Sequence, residues 1–369
     1  MYIHKHEDWP NFTWDQASVT RLLADTRHVQ GRLLGRMEAL GFALREKATL
    51  ESLTQDVLKT SEIEGVILDI EQVRSSIARR LGIDMGILPH AARNVEGIVD
   101  VMMDATRNHS APLTPGRLFD WHAALFPTGR SGMHRITVGA WRGESSGPMQ
   151  VVSGPAGREK IHFEAPAYER LEAEMDRFMR WFNNSQDMDL VLKSSLAHFR
   201  FITIHPFDDG NGRIARAISD MLLAESEQST HRFYSMSAQI QKERKVYYQI
   251  LEKCQKGNLD ITIWIEWFLG CLKRAVESSE ETLKAILGKA RFWKHHTGES
   301  FNERQSSMLN RLLDGFEGKL TSSKWAKIEK CSQDTALRDI NELVNRRILK
   351  RERAGGRSTS YALITTREA

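Results

Sequence analysis

Twelve residues, His205-Pro-Phe-Asp-Asp-Gly-Asn-Gly-Arg-Ile-Ala-Arg216, constrain this chain more than any other stretch. Gly210 and Gly212 have no Cβ, so the backbone there can turn left-handed and aim successive N–H groups at one point. From Arg213 onward the pattern RIARAISDMLLAES reads as helix, which places that turn at a helix N-terminus. Converging amides and the positive end of the helix dipole together make an anion cradle. Arg213 and Arg216 are three residues apart, hence on one face, and can fork onto phosphate oxygens. Asp209 is a hard oxygen ligand of the kind Mg²⁺ takes in company with nucleotide phosphates. His205 sits just ahead, with a side chain able to accept a proton near neutral pH. The stretch therefore reads as a Mg-nucleotide site with a base beside it.

The same stretch resembles the signature of the Fic (filamentation induced by cAMP) family, His-x-Phe-x-Asp/Glu-Gly-Asn-Gly-Arg-x-x-Arg, with all eight specified positions filled. The resemblance implies a protein adenylyltransferase that moves AMP from ATP, with Mg²⁺, onto a hydroxyl side chain of a protein target, itself included among the candidates. On that reading His205 is the general base and Asp209 the metal ligand. Gly210, Asn211 and Gly212 hold the α- and β-phosphates, Arg213 and Arg216 neutralise the leaving pyrophosphate, and Phe207 anchors the loop in the core. A kinase-like subtype carries Lys where this chain has Gly212, which argues against that chemistry. No GxxxxGK[ST] pattern offers a competing phosphate cradle. In the family, tyrosines about thirty residues past the motif line the base pocket; Tyr247 and Tyr248 stand at that distance, with Gln255 seven residues further on. Thr60-Ser-Glu-Ile-Glu64-Gly65 matches the family's inhibitory pattern, so Glu64 is expected to pair with Arg216 and hold the enzyme down. Two other readings stay open: a nucleotide sensor that acts as a transcription regulator, and the reverse reaction, in which Glu64 orients a water that removes AMP.

Most of the chain reads as helix. Apolar positions recur at helical spacing from Asp15 to Lys59 (Leu22, Leu23, Val29, Leu33, Met37, Leu40), and again in Val95–Thr106, Tyr168–Asn183, Leu190–Ile204, Lys242–Cys254 and Ile261–Ala285. Between Pro127 and Pro166 the habit breaks: seven of the 25 glycines and four of the nine prolines fall there. Within it, Ile136–Val138 and Met149–Val152 read as short strands. A long loop in a helical domain is usually functional or disordered, and β-branched residues argue against disorder. The family resemblance makes this a flap that takes the target as an added strand along Met149, Gln150, Val151, Val152 and Ser153.

The expected organisation is an N-terminal helical region carrying the inhibitory helix (1–110), a catalytic core (111–287), a linker (288–302) and a winged helix-turn-helix (303–369). The last rests on three helical patterns, Glu303–Phe316, Ser322–Lys330 and Gln333–Arg346, then a hairpin from Ile348 through Gly355-Gly356 to Ser358–Leu363. Lys319 to Arg357 holds eleven Lys/Arg against five Asp/Glu, which makes DNA a candidate partner. His4-x-His6 and Asp8-Trp9-Pro10 resemble the N-terminal extension of a bacterial Fic group with a C-terminal winged helix. The fold expected is thus mostly α, a helical Fic core with a small β-hairpin flap and a winged helix. No run approaches the ~18 apolar residues of a membrane span. The polar first fifteen residues lack the apolar stretch of a secretory leader. Three scattered cysteines, Cys254, Cys271 and Cys331, fit a reducing compartment, so a cytoplasmic location is expected; a homo-oligomer is a separate expectation.

Overall fold

The computed structural model describes residues 1–38, 42–84, 89–144, 148–154, 158–184, 187–313, 315–316, 318–352 and 359–364. The chain divides into two compact units, Met1–Glu280 and Glu281–Ala369. Among the described residues no helix is long and apolar enough to cross a membrane.

The first unit opens with a short 3-10 turn, Ile3–Lys5, and a helix pair, α1 (Gln16–Glu38) and α2 (Phe42–Ile63). This is the pair expected from the spacing over Asp15–Lys59; Leu40 lies outside the described residues. Helix α3 (Ile70–Leu81) starts where the Asp69 carboxylate accepts the Gln72 N–H and stops at Gly82, whose φ of 72° suits glycine alone. Helices α4 (Arg93–Arg107) and α5 (Pro115–Leu125) follow, the latter capped by Thr114 with proline in its first turn.

Two antiparallel pairs come next: β1 (Arg130–Ser131) with β2 (His134–Arg135), and β3 (Gln150–Ser153) with β4 (Lys160–Glu164). Val151 faces Phe163 and Val152 faces Ile161 across the second pair, with a bulge between the two positions. The strand read in Met149–Val152 is present one residue later. That read in Ile136–Val138 is absent: the Thr137 N–H donates to the Asp208 carboxylate (2.8 Å), so this backbone is used to pin a loop rather than to build a ladder.

Helices α6 (Tyr168–Asn184), α7 (Leu190–Ile204), α8 (Asn211–Glu227), α9 (Met236–Lys242), α10 (Arg244–Gln255) and α11 (Thr262–His295) complete the unit, α11 continuing into the second. Helix α7 is capped by the Asp189 side chain, and every residue from Val191 to Ile204 is buried. It packs directly on α8, which is buried from Ile214 to Ala224. Each fully buried Leu, Ile or Phe of such a pair contributes about 1.5–3 kcal/mol relative to exposure. The loop joining the two helices is only six residues long, and it is His205–Gly210.

In the second unit α12 (Glu303–Leu313), α13 (Ser322–Ile328) and α14 (Gln333–Asn345) precede an antiparallel pair, β5 (Leu349–Arg351) with β6 (Tyr361–Leu363). Met308, Leu320, Trp325, Ile340, Leu349 and Tyr361 form its core, with Phe292 and Trp293 of α11 packed against it. The stretch expected as a linker, 288–302, is therefore helical as far as His295, because its aromatic residues have a core to cover. The Gly355-Gly356 turn and Ser358 lie outside the described residues.

Candidate active site

His205 ends α7 in the left-handed region, at φ 53° and ψ 59°. A non-glycine residue held there costs roughly 1–3 kcal/mol, which its surroundings must offset. They do so through its carbonyl, which accepts from Arg142 Nε (3.0 Å), and through the next carbonyl, of Pro206, which accepts the Arg142 N–H (2.9 Å). The ring lies 3.2 Å from the Ile202 carbonyl through Nδ1, so Nδ1 carries the proton and donates, leaving the Nε2 lone pair to receive one. Burial pulls the imidazole down to about 4, so it is neutral at pH 7. That is the form a general base needs.

Phe207 is fully buried and stacks on His122 at 4.1 Å, the anchor expected of it. His122 itself was not singled out from sequence. Its Nδ1 accepts from Gly139 N–H (3.3 Å) and its Nε2 donates to the Asp209 carbonyl (3.1 Å), so it ties the site loop to the stretch before the hairpin. The Asp209 carboxylate accepts from Gly210 N–H (2.5 Å) and from the Ser131 hydroxyl of β1, and its side chain is still 43% exposed. One outward carboxylate fits a cation that arrives with other ligands, as Mg²⁺ does with a nucleotide. Among the described residues no set of three or more His, Cys, Asp or Glu could hold a metal alone.

Asn211 has a task inside the loop as well. Its side chain is buried and closes on Phe207 twice, accepting its N–H (3.0 Å) and donating to its carbonyl (2.8 Å). The carboxamide thereby shapes the turn, using its oxygen and one of its two N–H donors. Gly210, at φ 83°, caps α8, and a Cβ there would sit 2.8 Å from the Phe126 ring. The first intrahelical bond runs from Ile214 N–H to the Gly210 carbonyl, so the N–H groups of Asn211, Gly212 and Arg213 open the helix without an intrahelical acceptor.

The two arginines of the motif flank this opening. Arg213 lies over the Phe126 ring (4.8 Å), with its Nε enclosed and unpartnered. Arg216 is 2% exposed; its Nε donates to the Thr60 hydroxyl (2.7 Å), its Nη2 to the Thr60 carbonyl (2.9 Å) and to Glu64 (2.7 Å), and its Nη1 has no partner. Glu64 follows the last turn of α2, and its carboxylate lies where a Cβ on Gly212 would be, 2.3 Å from that position. A carboxylate thus rests against the anion cradle, brought there from 152 residues away. Thr60 emerges as the residue that holds the other side of Arg216.

The residues expected to face an adenine divide. Tyr247 is 1% exposed, bonded through its hydroxyl to His198 Nε2 (2.9 Å) and packed against Trp264 and Trp267. Gln255 is also buried and donates to the Thr203 hydroxyl (3.2 Å). Both are core residues, because α10 turns this face toward α7 and α11. Tyr248 alone stays accessible, 40% exposed, with Arg244 over its ring (5.7 Å).

The hairpin β3–β4 keeps one edge of β3 unpaired among the described residues. The Met149 carbonyl accepts from Ala165 N–H (2.9 Å), which leaves Gln150, Val151, Val152 and Ser153 along the strand. Its base is braced by the N-terminus: His4 Nε2 meets the Glu164 carbonyl (2.8 Å), Lys5 pairs with the Glu164 carboxylate (2.9 Å), and Tyr2 and His4 pack on Phe163.

Two family models match the chain, the Fic/DOC family over residues 112–223 and a domain of unknown function, DUF4172, over residues 2–83. Relatives include Protein adenylyltransferase Fic of Drosophila ananassae, 31% identical over 105 residues, and that of Culex quinquefasciatus, 30% identical over 102 residues. These matches take in 28% and 24% of this chain and span only 20% of each relative's length. Among solved structures, a Fic family protein from Desulfovibrio desulfuricans G20 aligns over 96% of this chain and 98% of its own, at TM-score 0.55 and 22% identity. A Fic domain containing signaling protein from Bacteroides thetaiotaomicron aligns over 72% of this chain and 97% of its own, at TM-score 0.50 and 17% identity. At those identities the likeness is one of fold. Glu64 belongs to the first matched segment and Arg216 to the second. The segment that matches the Fic/DOC family model, residues 112–223, holds α5, the hairpin, α6, α7 and the turn that opens α8.

Proposed function

We propose that this chain transfers AMP from ATP to a hydroxyl side chain of a protein and is held back by Glu64. The observation that carries the reading is the carboxylate seated against Gly212 and paired with Arg216, beside a helix opening whose amides and arginines are arranged for polyphosphate. An anionic side chain already occupies the place where an anionic ligand is wanted.

In the reaction, His205 Nε2 takes the proton of the target hydroxyl as its oxygen attacks the α-phosphorus. The bond from that phosphorus to the bridging oxygen breaks, and pyrophosphate leaves with the electron pair. The amides that open α8 bind the phosphates, and Arg213 and Arg216 stabilise charge gathering on the leaving group, a contribution of about 10²–10³ in rate for one such donor. Asp209 would hold Mg²⁺, which would supply positive charge against the phosphates. The unpaired edge of β3 offers backbone groups to an extended target segment, which would lie along Gln150–Ser153. Of the two tyrosines, Tyr248 is the one left to meet an adenine. The second unit, with three helices and an antiparallel pair, is read as a winged helix whose basic surface is a candidate for DNA.

The test is covalent labelling of protein by ATP labelled at the α-phosphate, in the Glu64→Gly chain and in Glu64→Gly/His205→Ala. Label is expected in the first and lost by about 10²–10⁴ in the second, with ATP affinity by calorimetry unchanged, because the imidazole moves a proton and holds no phosphate. Equal labelling in both would remove His205 as the base. Label that Glu64 accelerates in leaving would favour the reverse reaction.

A further inference from the structure

We infer that Arg142 is a positioning residue: its guanidinium sets His205 in register with the strand that presents the target. The inference rests on the reading of His205 as the base and extends it to how that base is aimed.

Arg142 lies eight residues before β3, is 5% exposed and reaches three carbonyls that belong to different parts of the fold. Its Nε–H donates to His205 (3.0 Å), its backbone N–H to Pro206 (2.9 Å) and its Nη2 to Pro166 (2.5 Å). Pro166 stands two residues after β4, so one side chain joins both ends of the hairpin to the backbone of the base. Two successive carbonyls held from one residue fix the peptide that follows His205, and with it the left-handed conformation from which the ring projects. A hydroxyl carried on β3 and the Nε2 lone pair then share a frame, and loss of about 1 Å of register in such a frame costs around 10² in rate. Lysine could not replace it, because a point ammonium on a flexible stem cannot fork between the carbonyls of His205 and Pro166.

The charge matters separately. Burial disfavours the charge on Arg142, while the Asp208 and Glu169 carboxylates favour it. The other charged groups that His205 feels are Asp209 from its own loop and Glu64 from α2, both of which favour the imidazolium. Arg142 opposes them, adding to the burial that keeps the ring neutral. The base is thereby ready to accept a proton at any pH above mild acidity, at the expense of proton affinity.

The experiment uses the full chain in the Glu64→Gly background with Arg142→Met and Arg142→Lys. The His205 ring is titrated by NMR without ATP, and kcat, KM for ATP and the pH profile of AMP transfer are read alongside thermal unfolding. Arg142→Met should move the His205 titration upward from about 4, move the acid limb of the kcat profile with it, and lower plateau kcat about 10–100-fold at unchanged KM for ATP. Arg142→Lys should leave the titration near its original position and still lose about tenfold or more in kcat, because the charge stays and the fork does not. A titration and kcat equal to the parent in a folded Arg142→Met protein overturn the inference. If that variant unfolds, a kcat for Arg142→Lys equal to the parent does the same. His205→Ala in the same background separates the two claims: label that survives it removes the base, while the titration still reports what Arg142 does to the ring.

Discussion

Arg216 and Arg232 are both enclosed beside helix α8 and both bonded to a carboxylate, at 2.7 Å and 2.8 Å, yet the two pairs differ in what they can do. The partner of Arg216 is Glu64, whose side chain is 28% exposed and stands just past the end of α2. The partner of Arg232 is Asp220, 1% exposed on α8 itself and braced by the Arg232 bond to its own carbonyl (3.0 Å). Separating the first pair returns a carboxylate to water, and its hydration offsets much of the lost attraction. Separating the second leaves a carboxylate with nowhere to go. Solvent access of the acid, rather than burial of the arginine, makes one pair a latch and the other a strut. Helix α2 takes part in both: Asp56, eight residues before Glu64, is buried beside Asp220 and accepts from the Ser235 hydroxyl (2.6 Å) and the Ser237 N–H (3.2 Å). Helix α2 is thus fixed in the core at Asp56, about two turns before the end that carries Glu64.

The largest expected effect breaks the strut. Arg232→Met should cost about 3–5 kcal/mol of folding stability, because it strands the Asp220 charge in the interior. Urea unfolding that matches the wild type would show that the two pairs are alike after all.

Opening the latch comes next. Glu64→Gly should raise AMP transfer about 10–100-fold, the equilibrium value of one charge-assisted hydrogen bond. The gain should vanish in Glu64→Gly/Arg216→Ala, since both residues act through one contact. A double variant that keeps the whole gain would mean that Glu64 inhibits by filling the space at Gly212 and not by holding Arg216.

The smallest effect sharpens the fixed point of α2, at Asp56. Burial, with Asp220 adding to it, pushes the Asp56 carboxyl from 3.8 up to about 7, while Arg232 pulls the other way. The folded chain then holds a proton that the unfolded chain has released, so this group makes stability fall as pH rises from about 4 to 7, with the loss complete above the folded value. Asp56→Asn should flatten that slope, and its Tm relative to wild type should climb between pH 5 and pH 8. A constant difference across that range would place the proton elsewhere in the cluster of Asp56, Asp220, Glu227 and Arg232.

The site was legible in proportion to how local its parts are. His205, Asp209, Gly210, Gly212 and Arg213 fall within one turn and one helix start, where backbone geometry alone brings them together. The Glu64 pairing with Arg216 was reachable only through a resemblance, since nothing in the spacing of residues 152 apart foretells a contact. Arg142, His122 and Thr60 carried no signal of their own: each acts by bonding to a backbone carbonyl or to another site residue, and such bonds leave no periodicity behind. The burial of Tyr247 and Gln255 was not legible for a related reason. Aromatic and amide side chains suit a base pocket and a core equally, and only the packing of α10 on α7 and α11 turned them inward.

By itself the sequence determined that the chain is largely helical, that a glycine turn opens a helix between a histidine and two arginines, and that a glycine- and proline-rich stretch interrupts the helices ahead of it. Those are properties of neighbours along the backbone, set by allowed dihedrals, capping and helical spacing. The tertiary structure decided which carboxylate lies against Gly212, that Asn211 closes its amide on the loop, and that one arginine links the hairpin to His205. It also decided which buried pair can open. Each of these depends on what is excluded from water, and that is fixed only when elements distant in sequence pack together.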